Sequence, residues 1–237
     1  MKNKVLYMVS FLILVPCAIF SQDNLYFNRS LQEFAAKMQL SDGAPGYKIN
    51  EGRITDVEGT EYLNESFKKG EIYTSENDRF TGIPMRYNAY RGEIEVKMPD
   101  STVWSLTRNG SIMQVNLNDM VLVYRNFLSD DGEKSGYLSL IYKGKSLLFR
   151  RDYKVFMEGV PSNGIINEIP SKIVDRPKEF YIQTDAGNPK FFKTSKDLSE
   201  LRGNQSQEIK LFIKREKINM KKEADLIKLI TYYDKIN

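Results

Sequence analysis

The sequence contains no histidine, and Cys17 is its only cysteine. Without an imidazole or a second thiol, the chain cannot build a Ser-His-Asp or Cys-His catalytic group. It also cannot build a zinc site from His and Cys, a c-type haem attachment or an internal disulfide. Any catalysis would therefore depend on carboxylates, Lys, Tyr, Arg or Ser. We expect no metal and no cofactor.

The chain also lacks a strong charge of either sign. Its 237 residues include 35 Lys and Arg against 31 Asp and Glu, a formal net charge of +4. This near-balance argues against nucleic acid as the main partner. With 41% hydrophobic and 28% charged residues, the composition is that of a globular protein rather than a disordered one.

The long apolar run of the sequence is confined to its N-terminus. The first residues, 1–21, have the three parts of a secretory signal peptide: Lys2 and Lys4, an apolar stretch from Val5 to Phe20, and the small residue Ser21. The apolar stretch is short for a membrane span, so we expect no transmembrane span in the mature chain. The sequence therefore predicts an exported protein, periplasmic or secreted.

Cys17 leaves a second localisation open. The stretch "LVPC", from Leu14 to Cys17, has a cysteine where a lipoprotein would be lipidated. Pro16 fits poorly, because lipoprotein processing prefers a small residue directly before the cysteine. Because of Cys17, an outer-membrane lipoprotein nevertheless stays open as the alternative to a soluble exported protein.

Two capping boxes mark helices near the two ends of the chain. Ser30 with Glu33 begins a helix within 28–40, where apolar residues recur at helical spacing. Thr194 with Asp197 begins the helical C-terminus. We therefore divide the chain into a signal peptide (1–21), an N-terminal helix and linker (22–60), an antiparallel β-sheet region (61–193) and a C-terminal helical segment (194–237) of the same domain.

The region between the helices reads as short strands separated by turns. Runs rich in β-branched and aromatic residues alternate with turn residues from about Gly70 to Met157, the last run being 146–157, and one more hairpin follows over 179–193. Such short connections force neighbouring strands to be antiparallel. The fold class predicted is α+β: an antiparallel β-meander of about 8–10 strands with the N-terminal helix and the C-terminal helices packed on it.

One predicted hairpin, over 80–98, carries a polar face. A two-residue loop at Arg91-Gly92 would bury Met85, Tyr87 and Val96 on one side of the hairpin. The opposite face would then hold the polar residues Arg86, Asn88, Tyr90, Glu93, Glu95 and Lys97. Two interpretations stay open: a solvated sheet face with a cross-strand ion pair, or a ligand site formed by Arg86, Asn88 and Tyr90.

The same face offers a weak catalytic hypothesis. Glu93 and Glu95 lie two positions apart on one strand, about 7 Å from each other. Glycoside hydrolysis uses two carboxyl groups roughly 5–10 Å apart. A carboxylate-dependent hydrolase acting on surface polysaccharide is therefore the alternative function, with Glu93 and Glu95 as its catalytic candidates. Alternating Glu is also ordinary on a solvated strand.

Three segments resemble a family of small exported proteins widespread in Bacteroidetes. They are "EYLNESFKKGEIY", "FTGIPMRYNAYRGEIEVK" and "EADLIKLITYYDKI", and the likeness runs from about Tyr62 to the end. The segment "AIFSQD" is similar to the cleavage pattern of exported proteins from such bacteria, with Gln22 as the mature start. No activity is attached to this family, so the resemblance implies one exported domain and carries over no catalytic residue.

Together these features favour a non-enzymatic module. We predict an exported cell-envelope or secreted protein that binds an envelope protein, a glycan or a lipid. The motivation is the export signal combined with the absence of His and of any Cys beyond Cys17.

Overall fold

The computed structural model describes residues 27–40, 46–48, 57–106, 111–162, 167, 169–200 and 206–236. Within them the chain is mainly β-sheet with a few helices, so the α+β class is correct in its coarse form. The predicted signal peptide, Cys17 and Gln22 lie outside the described residues. None of the helices in the described ranges has both the length and the apolar character that a membrane span needs.

The first half of the described chain supplies one helix and seven strands. They are β1 (Phe27–Arg29), α1 (Leu31–Leu40), β2 (Gly46–Lys48), β3 (Lys68–Thr74), β4 (Asp78–Asn88), β5 (Glu93–Lys97), β6 (Val103–Leu106) and β7 (Ile112–Leu117). Strands β1 and β2 lie in the segment predicted as helix and linker.

The second half supplies seven more strands and three helices. They are β8 (Met120–Ser129), β9 (Gly132–Lys143), β10 (Leu147–Arg151), β11 (Lys154–Met157), β12 (Lys172–Asp175), β13 (Glu179–Gln183), β14 (Lys190–Phe192), α2 (Ser195–Glu200), α3 (Ser206–Arg215) and α4 (Glu223–Lys235). The single strand predicted over 146–157 is two strands, and the second belongs to a separate hairpin, β11–β12.

Two runs of consecutive strands meet in the middle of the large sheet. Its order is β14-β13-β10-β9-β8-β7-β3-β4-β5-β6-β2. Strands β3 to β6 follow chain order, and so do β7 to β10, but β7 pairs with β3 rather than with β6. The other edge of β6 is taken by β2. A single continuous meander is therefore not confirmed.

Strands β8 to β10 of the second run close into a small barrel together with β13 and β14. Strand β14 pairs in parallel with β8 through Lys190 and Leu128, which joins the two ends of β8-β9-β10-β13-β14. Closure removes the open edges that would otherwise expose unpaired backbone groups. The buried cluster on these strands is Val123, Phe127, Leu138, Phe149 and Tyr181.

Two pairings correct the expectation of an antiparallel sheet. Strand β1 pairs in parallel with β4, and β14 pairs in parallel with β8. Each pair joins strands that are far apart in sequence, and long connections allow either direction. The short connections within each run give antiparallel neighbours, as predicted.

The helices cover the sheet where the sequence places apolar stripes. Both capping boxes are confirmed: the amide of Ser30 donates to Glu33 Oε2 at 2.7 Å, and the amide of Thr194 donates to Asp197 Oδ2 at 2.8 Å. Burial acts to raise the pKa of Asp197, but hydrogen bonds from neighbouring backbone amides and from the Thr194 side chain outweigh it and lower the pKa. Helix α1 packs through Phe34 on the first run of strands, and α2 to α4 pack on the barrel.

Candidate functional site

The predicted hairpin forms with a longer loop. Residues 89–92 make the turn, and the strands pair Arg86 with Glu95 and Asn88 with Glu93. The predicted two-residue loop is wrong, and each pairing moves by two positions, so the division into faces is kept. Gly92 is the one loop residue with a positive φ (66°), and the amide of Arg91 donates to Asn88 Oδ1 at 2.9 Å. This loop avoids placing Arg91 in a left-handed conformation.

The middle of the polar face of this hairpin is covered, whereas Tyr90 and Lys97 at its ends are exposed. Asn88 is 0% exposed and Glu95 is 2% exposed. The segment 57–67 crosses the face and bonds to it through its backbone: the amide of Ala89 donates to the carbonyl of Glu61 at 2.8 Å. The cross-strand ion pair of the first interpretation therefore forms, between Arg86 and Glu95, but it is buried and not solvated.

Under this cover, the Arg86 side chain contacts two aromatic rings, a carboxylate and a hydroxyl. Its guanidinium lies over the rings of Tyr62 and Phe67, 3.8 and 4.4 Å from their centroids. Its Nε donates to Glu95 Oε2 at 2.7 Å, and its Nη2 donates to the Tyr62 hydroxyl at 2.8 Å. Stacking and a charge-assisted hydrogen bond together fix the side chain in one orientation.

The carboxylates beside Arg86 also accept hydrogen bonds from Asn88. Asn88 Nδ2 donates to Glu61 Oε2 at 2.9 Å and to Glu95 Oε1 at 3.2 Å. Burial, followed by the nearby charge of Glu95, raises the pKa of Tyr62 to about 12. Its hydroxyl therefore keeps its proton at neutral pH. We call Glu61, Tyr62, Arg86, Asn88 and Glu95 the Arg86 cluster.

The two catalytic candidates lie on the same face of β5, and both are buried. Glu93 is 8% exposed and Glu95 is 2% exposed. Both oxygens of Glu95 accept hydrogen bonds within the Arg86 cluster. A general acid or base must reach the bond that it cleaves. The observed arrangement of Glu95 is therefore that of a structural carboxylate.

A cleft opens beside the cluster, where the hairpin loop meets the barrel. The loop contributes Tyr90 and Arg91, strands β8 and β9 contribute Tyr124 and Ser135, and the chain after β10 contributes Lys154. Its volume is about 130 Å³. We call it the tyrosine cleft, because five of its lining residues are tyrosines: Tyr87, Tyr90, Tyr124, Tyr137 and Tyr153.

Arg151 lies where the cleft reaches the barrel. Its Nη1 donates to Glu179 at 3.0 Å, and its guanidinium lies 4.3 Å from the ring centroid of Tyr153. Glu179 also accepts hydrogen bonds from the hydroxyls of Tyr153 (2.9 Å) and Tyr181 (2.7 Å). Burial acts to raise the pKa of Glu179, but these hydrogen bonds and Arg151 outweigh it and lower the pKa. Glu179 is therefore ionised and balances Arg151.

The other two cations of the cleft also lie near a carboxylate. Lys154 Nζ lies 3.2 Å from Asp175, and the two side chains are 8% and 74% exposed. Arg91 Nε lies 3.8 Å from Glu61, near the limit of an ion pair, and the Arg91 side chain is 33% exposed.

The structure separates the predicted ligand residues. Arg86 and Asn88 belong to the buried cluster, whereas Tyr90 lines the cleft and is 36% exposed. Four residues of the tyrosine cleft were not predicted from the sequence: Arg91, Tyr124, Arg151 and Lys154. Arg91 is next to Tyr90 and could have been named with it, but the other three reach the cleft only through the pairing of distant strands.

Comparison of the chain with protein-family models, with curated proteins and with solved structures found no match in any of the three.

Proposed function

We propose that the protein is a non-enzymatic binding module of the cell envelope or of secreted material, and that it takes its ligand in the tyrosine cleft. The observation that supports this proposal is the contrast between two polar sites. In the Arg86 cluster, Arg86 and Glu95 bind each other at 2.6 Å, with side chains 13% and 3% exposed. In the cleft, Tyr90 and the Arg91 side chain are 36% and 33% exposed and line open space.

The lining of the cleft suits recognition of a small polar group. Tyrosine offers an apolar ring face and a hydroxyl together, which is why it is enriched where one end of a side chain meets an apolar surface and the other meets water. Binding pockets typically combine such a wall with a few charged or polar groups that fix orientation. A glycan, a lipid headgroup or a protein side chain of the envelope would meet both features here.

Blocking the cleft is expected to abolish ligand capture. Ser135 is exposed on β9, and its hydroxyl lies 3.1 Å from that of Tyr124. Ser135→Trp would place an indole in the cleft, and an exposed strand position tolerates Trp. Immobilised wild-type protein should retain material from polysaccharide, lipid or protein fractions of the source envelope, and S135W should retain none of it.

Ser75→Trp is the matched control, because Ser75 is an exposed turn residue that does not line the cleft. It should capture the same material as the wild type. Thermal unfolding of both variants checks that each is folded. Equal capture by S135W and S75W, or no capture by the wild type, contradicts the proposed function.

A further inference from the structure

We propose that the ligand of the tyrosine cleft is an acidic saccharide, and that the carboxylate on one sugar ring is the group that the cleft recognises. This inference rests on the proposed function, since it names the ligand class of the same site. It is carried by the charge of the lining, the placement of its counter-charges and the shape of its walls.

The lining carries positive charge and no carboxylate. Arg91, Arg151 and Lys154 line the cleft, and within the described part of the chain none of the residues that line it is Asp or Glu. Their acidic partners Glu61, Asp175 and Glu179 are not among the residues that line it. An anion entering the cleft therefore meets the cations before it meets their carboxylates.

The two guanidinium groups have capacity left for an anion. A guanidinium has five N–H donors, so the bond to Glu179 does not exhaust Arg151, and the Arg91 side chain is 33% exposed. A ligand carboxylate can therefore bond to these groups without displacing Glu179 or Glu61. The Lys154 side chain is 8% exposed and adds its positive charge to the lining. Two guanidinium groups at one site also favour a planar carboxylate, which accepts two parallel hydrogen bonds.

The walls favour a sugar ring. Tyr90 presents its ring at the rim with 36% of its surface exposed, and Tyr124 and Tyr137 meet edge to face with their centroids 5.3 Å apart. A sugar has apolar C–H faces that pack on such rings and hydroxyls that bond to their O–H groups. The volume of about 130 Å³ is below the usual size of a ligand pocket, so only part of a saccharide chain would enter the cleft.

An extended acidic peptide fits the cleft less well. Extended peptides commonly bind by adding a strand to an open sheet edge. The strands at this cleft, β8 and β9, pair with each other from Leu122 and Ser139 to Ser129 and Gly132. Their facing edges are therefore already occupied, and side chains alone would have to hold the peptide.

The test compares an acidic saccharide with ligands that lack either its charge or its sugar rings. Isothermal titration of the purified protein would use trigalacturonate, its neutral methyl ester, a tri-aspartate peptide and sodium sulfate. We expect trigalacturonate to bind and the ester to bind at least tenfold more weakly, because the ester has lost the charged hydrogen bonds. Sulfate and tri-aspartate should also bind at least tenfold more weakly, and added salt should weaken the binding of trigalacturonate.

Arg91→Gln tests the cleft without removing a barrel contact. Arg91 lies in the hairpin loop, whereas Arg151 is tied to Glu179. We expect R91Q to bind trigalacturonate about tenfold more weakly. Arg215→Gln is the matched control, since Arg215 pairs with Glu216 on the exposed surface of α3 and its turn, with 66% of its side chain exposed. It should bind as the wild type does.

Four results would overturn the acidic saccharide. They are equal binding of acid and ester, unchanged binding by R91Q, equal binding of tri-aspartate, and no binding of trigalacturonate. The binding function itself would still stand if the wild type captured envelope material that S135W did not. The two proposals therefore fail separately.

Discussion

Replacing Arg86 by Met is expected to lower the free energy of unfolding by about 3–5 kcal/mol, the cost of breaking a buried ion pair by removing one partner. Glu95, with 3% of its side chain exposed, would lose the cation that pairs with it. Asn88 and Tyr62 would still bond to it, but neither neutralises it. Urea denaturation of the wild type and of R86M measures the difference.

A double variant separates the charge from the packing. In Arg86→Met with Glu95→Leu, both charges are replaced by apolar groups, and such replacements are often neutral. The double variant should therefore recover most of the stability that R86M loses. Arg215→Met, at an exposed pair, should unfold at the wild-type urea concentration. A loss in R86M no larger than in R215M would show that Arg86 and Glu95 are solvated and not buried.

Replacing Asp234 by Ala is expected to cost roughly 3 kcal/mol, the upper range for a buried polar group that loses its partner. Asp234 lies on α4 and is 7% exposed. Both of its oxygens accept the amide of Ser146, at 3.1 and 3.0 Å, and Oδ2 also accepts the hydroxyl of Tyr142 at 3.1 Å. Gly144 allows this approach, because a Cβ there would overlap the carboxylate and the Tyr142 hydroxyl.

The measurement is urea denaturation together with hydrogen exchange at α4. The amide of Ser146 should lose its protection in D234A, and α4 should exchange faster, because this contact joins the helix to the β9–β10 turn. Asp234→Asn keeps one oxygen acceptor and should lose less than half as much. Asp225→Ala, which removes a bond to the exposed amide of Asn219, is the surface control. Equal unfolding of D234A and D225A would contradict the buried contact.

Local sequence signals predict the local structure well. Each capping box needs only residues three positions apart, and Ser30 with Glu33 forms as expected. The apolar face of the β4–β5 hairpin also follows from alternation alone, since Met85, Tyr87 and Val96 are all buried. The predicted length of the hairpin loop was wrong, because the pattern of faces does not change when the register moves by two positions.

Burial of the polar face could not be predicted from the hairpin. The segment 57–67 that covers it is part of a stretch with turn residues and little periodicity, which reads as linker and loop. Its contacts to Arg86 and Asn88 join residues more than twenty positions apart. An Arg and two Glu on one strand pair look the same in sequence whether water or another segment covers them.

The tyrosine cleft depends on topology that has no local signal. Tyr90, Ser135 and Lys154 come together only because β7 pairs with β3 and because the chain leaves the barrel after β10. Closure of the barrel rests on the pairing of Lys190 with Leu128, which no short motif marks. The sequence alone therefore does not predict that these distant segments form one cleft.

The central claim is that ligand binds in the tyrosine cleft and not at the Arg86 cluster. Amide chemical shifts of ¹⁵N-labelled protein, followed during titration with trigalacturonate, test this claim residue by residue. We expect the largest shifts at Arg91, Ser135 and Lys154, with little change at Tyr62 and Glu95. The largest shifts at Tyr62 and Glu95, with Ser135 and Lys154 unmoved, would contradict binding in the cleft.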